Sequence, residues 1–594
     1  MDITTFSLAS LLGMPRRYNH VLGTSLAAWY NSAAMQKPTV VPLSPVIVIG
    51  LDGATWDIAR PLMETGCMPN LARLVARGTA GPLASTVPPI SAAAWVTFLT
   101  GQNPGRHGVY QFRKFDLSTY GGYRDEFATS GDYQGRSLPE LVSQRGGRVG
   151  SVGVPMTYPP FAVNGFLVSG FPRPFGPAPQ VYPESMARDL GRWDEMPDNF
   201  NFSLSPEETA RAADYWVQKY TDISLDALNE QEFDLFLIVW NSTDNIPHLF
   251  WKYADPDYPA YDAKGAQQFG QVINHQYEVA DREIGRLLEA IPEPGETTIF
   301  VMSDHGMGPY PHRQVHLNAW LAGQGLLRRR AGTSGKSRRF NRMVSGLRRN
   351  LPTQWRERLR HRMPAGMRAN LFARHMNLSN VDWSETQVYR FKIFPSVEGI
   401  VVNMVGRQSE GIVSPGDEYE RLCEHLVEML AELTDPDTGV PIVARASRRE
   451  ELFEGPYLDD IPDILVELTA DYTGGAAIDG PLVTPMPMDQ LSEYSASHHP
   501  TGLFVAAGPG VRQGEWLEGA NIVDMAPTIL YSMGLPISPA MDGNVLIDLF
   551  SPDARKPVAF EEYETQPAAD GVQLSADEEA AIREQLAGLG YLRE

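Results

Sequence analysis

The chain has 594 residues, 43% hydrophobic and 21% charged, with a formal net charge of −22. That is ordinary globular composition, at a length long for one compact core but usual for one α/β domain carrying insertions. The charge excludes wrapping of nucleic acid or of an anionic membrane, which need positive surface. It leaves room for a small anionic substrate held by bound cations, which reverse the local field.

Residues 1–43 read as an appended arm, with a helix expected near Val21–Ala34 and a proline-containing stretch from Pro38 to Pro45. An acid at position 2 and no basic segment before a short apolar stretch make a poor secretory signal. No run of 18 uncharged apolar residues appears, so no membrane span is expected. Cys67 and Cys423 are the only cysteines; they offer no disulfide framework and suit a reducing compartment, so the expected location is cytoplasmic.

From Pro45 the pattern changes. Val46-Ile47-Val48-Ile49 is a β-branched run ending in Gly50-Leu51-Asp52-Gly53, the signature of a strand buried on both faces. Leu71, Leu74 and Val75 follow at helical spacing. Further runs predict strands at Val149–Val154, Phe166–Val168, Leu235–Trp240, Thr298–Met302, Ile464–Leu468 and Leu503–Ala507, and helices at Gln271–Ile291 and Glu418–Leu433. Strands alternating with helices imply an α/β fold with a mostly parallel central sheet flanked by helices. The expected organisation is a catalytic domain over 44–550 and a helical C-terminal tail over 551–594. Insertions at about 109–235 and 320–395 would cover the site and choose the substrate. Within the second, Arg328 to Arg374 carries 15 Arg or Lys and one acid, Glu357, in an otherwise acidic chain. It reads either as a solvated helical insert or as an electrostatic lid for an anionic substrate.

The chemistry-bearing residues cluster around the strands. Val46–Ile49 leads to Asp52, Leu235–Trp240 to Asp244 and His248, and Thr298–Met302 to Asp304 and His305; His498 precedes Leu503–Ala507 in an expected loop. Ligands of open parallel sheets bind beyond the carboxyl ends of the strands, so the three aspartates can converge on one rim. Asp52-Gly53 alone is equally a turn, and Asp244 with His248, four residues apart but separated by Pro247, is equally a helix cap and a surface histidine. Together, three carboxylates and three imidazoles suit divalent metals, Zn²⁺ first and Mn²⁺ second. Ser91, after Pro88-Pro89-Ile90 and before a helix-like run, is either a plain N-cap or a nucleophile at a helix N-terminus.

These residues carry a resemblance. Val48-Ile49-Gly50-Leu51-Asp52-Gly53, Pro88-Pro89-Ile90-Ser91, and Leu99-Thr100-Gly101 with Pro104 and His107-Gly108 resemble the type I phosphodiesterase/nucleotide pyrophosphatase branch of the alkaline phosphatase superfamily. So do Ser242-Thr243-Asp244 through His248, Ser303-Asp304-His305-Gly306-Met307-Gly308, and Ser497-His498 before Gly502. Asp524 through Thr528, with Gly534, Pro536 and Asp542-Gly543, completes a set spanning Pro45 to Leu546. The resemblance implies an alkaline-phosphatase-like fold and two divalent metal ions. One would be held by Asp52, Asp304 and His305 with Ser91 as fourth ligand. The other would be held by Asp244, His248 and His498, with His499 as the alternative to His498.

The implied reaction is cleavage of a small anionic phosphate ester, a phosphodiester or nucleotide pyrophosphate, through a phosphoseryl intermediate. The alternatives are a phosphomonoesterase or phosphotransferase on the same site and, in a different class, a catalytically silent binding protein. Nucleotide pyrophosphatases of this branch commonly use Thr as nucleophile with a nearby Asn on the phosphoryl oxygen. Here Ala92-Ala93-Ala94 follow Ser91 and no such Asn is evident, so another donor must replace it. Ala93 and Trp95 stand where formylglycine sulfatases need Pro and Arg.

Overall fold

The computed structural model describes residues 43–174, 180–188, 204–291, 295–330, 380–564, 574–588 and 591. The expected arm helix near Val21–Ala34 and all but the first three residues of the basic stretch 328–374 lie outside the described residues.

The Val46–Ile49 run forms the strand Val46–Leu51, every residue buried. It sits mid-sheet, hydrogen-bonded in parallel to Leu235–Trp240 on one side and Thr298–Met302 on the other, with Ile49 opposite Ile238 and Val301. Beyond Leu235–Trp240 the sheet continues in parallel through Val149–Val152 and Gly165–Val168. On the other side comes Thr501–Ala507, antiparallel to both its neighbours, Thr298–Met302 and Thr79–Ala84. Side chains alternate between two cores, as a period of two dictates. Val48, Leu237 and Phe300 pack with Trp95 and Phe98 of helix Ser91–Thr100. Ile49, Ile238 and Val301 pack with residues of helices Pro206–Glu230 and Val272–Ala290. This is the expected α/β class, with a large, mostly parallel sheet between helices.

Three expectations are corrected. Val149–Val154 stops at Val152 because Gly153 takes a left-handed backbone, φ 71°, and turns the chain. Ile464–Leu468 is a strand but not part of the central sheet. It joins Val397–Val402 and Val443–Arg448 in a separate four-stranded antiparallel sheet completed by Val388–Phe394. An apolar run encodes burial, not the sheet it enters. Residues 109–235 are more than a covering insertion, since they supply two parallel strands of the central sheet and the helix Pro206–Glu230. Among the described residues no helix is long and apolar enough to cross a membrane.

Candidate active site

Thr501–Ala507 runs against the parallel strands, so its beginning lies at their carboxyl ends. That places His498, which precedes it, on the same rim as residues that follow the parallel strands. His498 is not in a loop as expected: it lies on the short strand Ala496–His499, paired antiparallel with Gly306–Pro309, opposite Met307. His498 is buried and His499 exposed. Asp244 and His248 lie on helix Ser242–Ala254, which continues through Pro247. Ser91 is the first residue of its helix; Ile90, not Ser91, is the N-cap. Asp52, Ser91, Asp244, His248, Asp304, His305 and His498 are all 3% exposed or less.

Two glycines make this convergence possible. Gly53 has φ 69°, and a Cβ there would lie 2.9 Å from the Asp244 Cα, so only glycine permits both the turn and the approach. At Gly50 a Cβ would lie 2.5 Å from the Trp95 ring. Its absence lets the indole pass and donate from Nε1 to Asp52 Oδ2 at 3.1 Å.

In each of two carboxylates one oxygen is anchored and the other faces the centre. Asp52 Oδ2 accepts from Trp95 and, at 2.7 Å, from Asn241; its Oδ1 lies 3.5 Å from Ser91 Oγ and 3.7 Å from His305 Nε2. Asp304 Oδ1 accepts the Gly53 N–H at 3.1 Å; its Oδ2 lies 3.2 Å from His305 Nε2. The imidazoles follow the same design. Nδ1 of His248, His305 and His498 lies against the carbonyls of Ala496 (2.9 Å), Gly306 (3.0 Å) and Pro89 (2.8 Å). Those carbonyls can only accept, so the proton sits on Nδ1 and each Nε2 presents a lone pair inward.

The inward atoms repel one another as they stand. Nε2 of His248 and of His498 are 3.1 Å apart, and lie 3.3 and 3.2 Å from Asp244 Oδ1. Buried Asp244 Oδ1 and Asp304 Oδ2 have no hydrogen-bond partner among the described residues. Burial pushes the Asp304 carboxyl up to about 8; burial, then the charges of Asp304 and Asp244, push Asp52 up as well. Burial, then His305, pushes His498 down to about 3. Lone pairs and carboxylates converging in a dry pocket are what divalent cations neutralise, so these residues fit metal ions. Two groups have ligand atoms within 4.8 Å of one another: Asp52, Asp304 and His305, and Asp244, His305 and His498. His248 closes on the second through the contacts above, and His305 stands between the two.

Ser91 Oγ lies 3.1 Å from His305 Nε2, at the start of a ten-residue helix that is buried throughout. The first helical hydrogen bond runs from Ala94 N–H to Ile90 O. The earlier N–H groups have no intrahelical acceptor and favour negative oxygen at Ser91. His107 is structural: it is buried, accepts the Val109 N–H at Nδ1 and contacts Thr97 Oγ1 through Nε2.

The family profile described as type I phosphodiesterase / nucleotide pyrophosphatase matches residues 46–473. The chain belongs to that family. As a member it is a hydrolase acting on phosphate esters. No curated protein matches the chain. Among solved structures it is similar to murine ectonucleotide pyrophosphatase/phosphodiesterase 5 in complex with AMP: 14% identity, TM-score 0.43, covering 86% of this chain and 100% of that one. It is similar also to phosphonoacetate hydrolase from Sinorhizobium meliloti 1021 with phosphonoacetate: 16% identity, TM-score 0.45, covering 83% and 96%.

Sequence reasoning missed the anchors. Asn241 and Trp95 flank residues already singled out, and their adjacency was the available signal. Thr243 is a further anchor, its hydroxyl donating to the Asp52 carbonyl at 2.7 Å. Phe394, from the small sheet, lies 4.9 Å ring to ring from His498, and Tyr494 stacks on His248 at 4.5 Å. Tyr591, from beyond the C-terminal helix, reaches His498 as well. Nothing in local sequence marks these last three.

Proposed function

We propose that the chain cleaves a phosphodiester or nucleotide pyrophosphate bond through a phosphoseryl intermediate on Ser91. The observation that carries this reading is the placement of Ser91 Oγ between Asp52 Oδ1 and His305 Nε2 at a buried helix N-terminus. Two divalent cations bound here, Zn²⁺ by the balance of imidazole and carboxylate donors, would supply the positive charge that ionises the hydroxyl and steadies the leaving oxygen. Asp52, Asp304 and His305 would hold one cation next to Ser91, and Asp244, His248 and His498 would hold the other. Ser91 loses its proton to solvent, and its Oγ bonds to phosphorus as the bond from phosphorus to the leaving oxygen breaks. Water then cleaves the phosphoserine, giving the product phosphate and returning a proton to Ser91. The Ser91 helix N–H groups stabilise the phosphoryl oxygens at each stage.

Ser91→Ala tests the reading. The zinc-loaded variant should retain two metal equivalents by elemental analysis while kcat on an aryl phosphodiester falls more than roughly 10³-fold, about 4 kcal/mol of barrier. Acid quench of wild-type turnover should trap on Ser91, by peptide mass spectrometry, the phosphoryl group still carrying the ester substituent that the diester retains. A variant within tenfold of wild type refutes the nucleophile. Faster turnover of the matched aryl monoester would favour the phosphomonoesterase alternative.

A further inference from the structure

The branch to which this chain belongs presents a problem at Ser91: three alanines follow the nucleophile, so the first turn of its helix offers no side-chain donor to a phosphoryl oxygen. The neighbouring donors are committed elsewhere, since Trp95 and Asn241 both donate to Asp52 Oδ2. A residue from the far end of the chain also reaches this cluster. The Tyr591 hydroxyl stands 3.4 Å from His498 Nε2, the atom that His498 presents to the reaction centre. Its ring lies 4.6 Å from that of Phe112 and 6.0 Å from the His498 imidazole.

This placement is built, not grazing. The preceding helix, Ala576–Gly588, is docked on the body of the molecule through Ile582 and Leu586, both buried. Arg583 reaches Asp125 at 2.6 Å and lies over Phe127, and Gln585 Oε1 accepts the Arg173 N–H at 3.1 Å. Tyr591 N–H donates to the Leu586 carbonyl at 3.0 Å. A helix held by apolar side chains and by polar contacts at two places fixes where the phenol sits.

We propose that Tyr591 is a catalytic residue, whose O–H donates to a non-bridging phosphoryl oxygen of the substrate and so replaces the donor missing after Ser91; this rests on the phosphate-ester reading above. His498 Nε2 is the phenol's acceptor in the resting chain. With a cation on that atom the phenol would lose this acceptor, and its O–H would be free to donate to the substrate. A phenol is neutral and a donor at physiological pH, and a fixed neutral donor aimed at developing oxyanion charge is an effective form of transition-state stabilisation.

The test is Tyr591→Phe in the zinc-loaded full chain, which keeps the ring and removes only the hydroxyl. Two readouts are taken: kcat and KM on an aryl phosphodiester, and calorimetric affinity for orthovanadate, an oxyanion probe that needs no turnover. The expected result is a fall in kcat of roughly 10²-fold, with two metal equivalents and an unchanged melting temperature. Vanadate binding should weaken at least tenfold. Both readouts within twofold of wild type overturn the proposal and leave Tyr591 a packing residue. So does Tyr591→Phe at full activity when Tyr591→Ala is impaired. A rise in kcat/KM in Tyr591→Phe also overturns it, because the phenol then obstructs the substrate. If wild type hydrolyses no phosphate ester but vanadate affinity drops in Tyr591→Phe, the oxyanion contact stands and the functional reading fails.

Discussion

Asp52, Asp304 and His305 follow directly on two neighbouring parallel strands, whereas Asp244, His248 and His498 come from a helix and a two-stranded pair outside the central sheet. The first group inherits its geometry from the strand ladder, in which Gly50 is in register with Met302, just before the two aspartates. The second has to be brought together. The Ser495 N–H donates to the His248 carbonyl at 2.7 Å, and His248 Nδ1 bonds back to Ala496 O, so helix Ser242–Ala254 and strand Ala496–His499 are tied at the ligands themselves. Sheet-borne ligands are preorganised by the fold's most cooperative element; helix-borne ligands depend on a docking contact. The second group should therefore give up its ion first to a chelator, leaving a one-metal species detectable by elemental analysis.

Disabling the sheet-borne group gives the largest effect. Asp304→Asn removes the inward Oδ2 charge, and kcat/KM should fall roughly 10³-fold, about 4 kcal/mol. The same change should stabilise the metal-free protein at high pH. The Asp304 carboxyl is raised in the folded state from 3.8 to about 8, so between those values the native chain binds more protons than the unfolded one. Stability of metal-free wild type then falls as pH rises through that window. Melting scans without metal should show this slope in wild type and lose most of it in Asp304→Asn, while zinc should stabilise wild type far more than the variant. A metal-free Asp304→Asn protein less stable than wild type at pH 8 contradicts the account of repelling carboxylates.

Disabling the helix-borne group should cost less. His248→Ala leaves Asp244 and His498 in place and should retain about one metal equivalent, with kcat/KM down roughly 10²-fold, about 2.7 kcal/mol. Equal loss of both ions would show the groups to be one cooperative site, with His305 between them as the coupling residue. Smaller again is the effect of the anchors. Trp95→Phe removes one of two donors to Asp52 Oδ2 and should weaken metal affinity roughly tenfold, as removal of an outer hydrogen bond to a metal ligand does. Competition with a fluorescent zinc chelator measures it.

The same division governs what was legible in the sequence. Val46–Ile49 and Thr298–Met302 are short β-branched and apolar runs closely followed by Asp52 and Asp304, so both strand and candidate ligand appear in one stretch. His498 was legible as a residue but not as a strand, because the two-stranded pair with Gly306–Pro309 is too short to show a period. Ile464–Leu468 was legible as a strand but not as a member of another sheet, since pairing partners distant in sequence leave no local trace. Tyr591, 93 residues after His498, was not legible at all: its proposed role depends on where the docked helix Ala576–Gly588 sets it down.

The smallest predicted effect separates two adjacent histidines. On a strand successive side chains point to opposite faces, so in Ala496–His499 only one of His498 and His499 faces the cluster. His498 is buried, with Nδ1 fixed to the Pro89 carbonyl and its ring stacked on His305 at 3.7 Å between centroids. His499 is exposed and lies opposite Gly306, with its ring beside Gly308. His499→Ala should therefore leave metal content, kcat and KM within about twofold of wild type, since surface substitutions away from such contacts change stability by about ±0.5 kcal/mol. His498→Ala should lose the helix-borne ion and, through the lost stacking on His305, loosen the sheet-borne one too. If His499→Ala instead sheds a metal equivalent while His498→Ala keeps both, the strand enters the cluster one residue out of the register described, and Asp244 and His248 share their ion with His499.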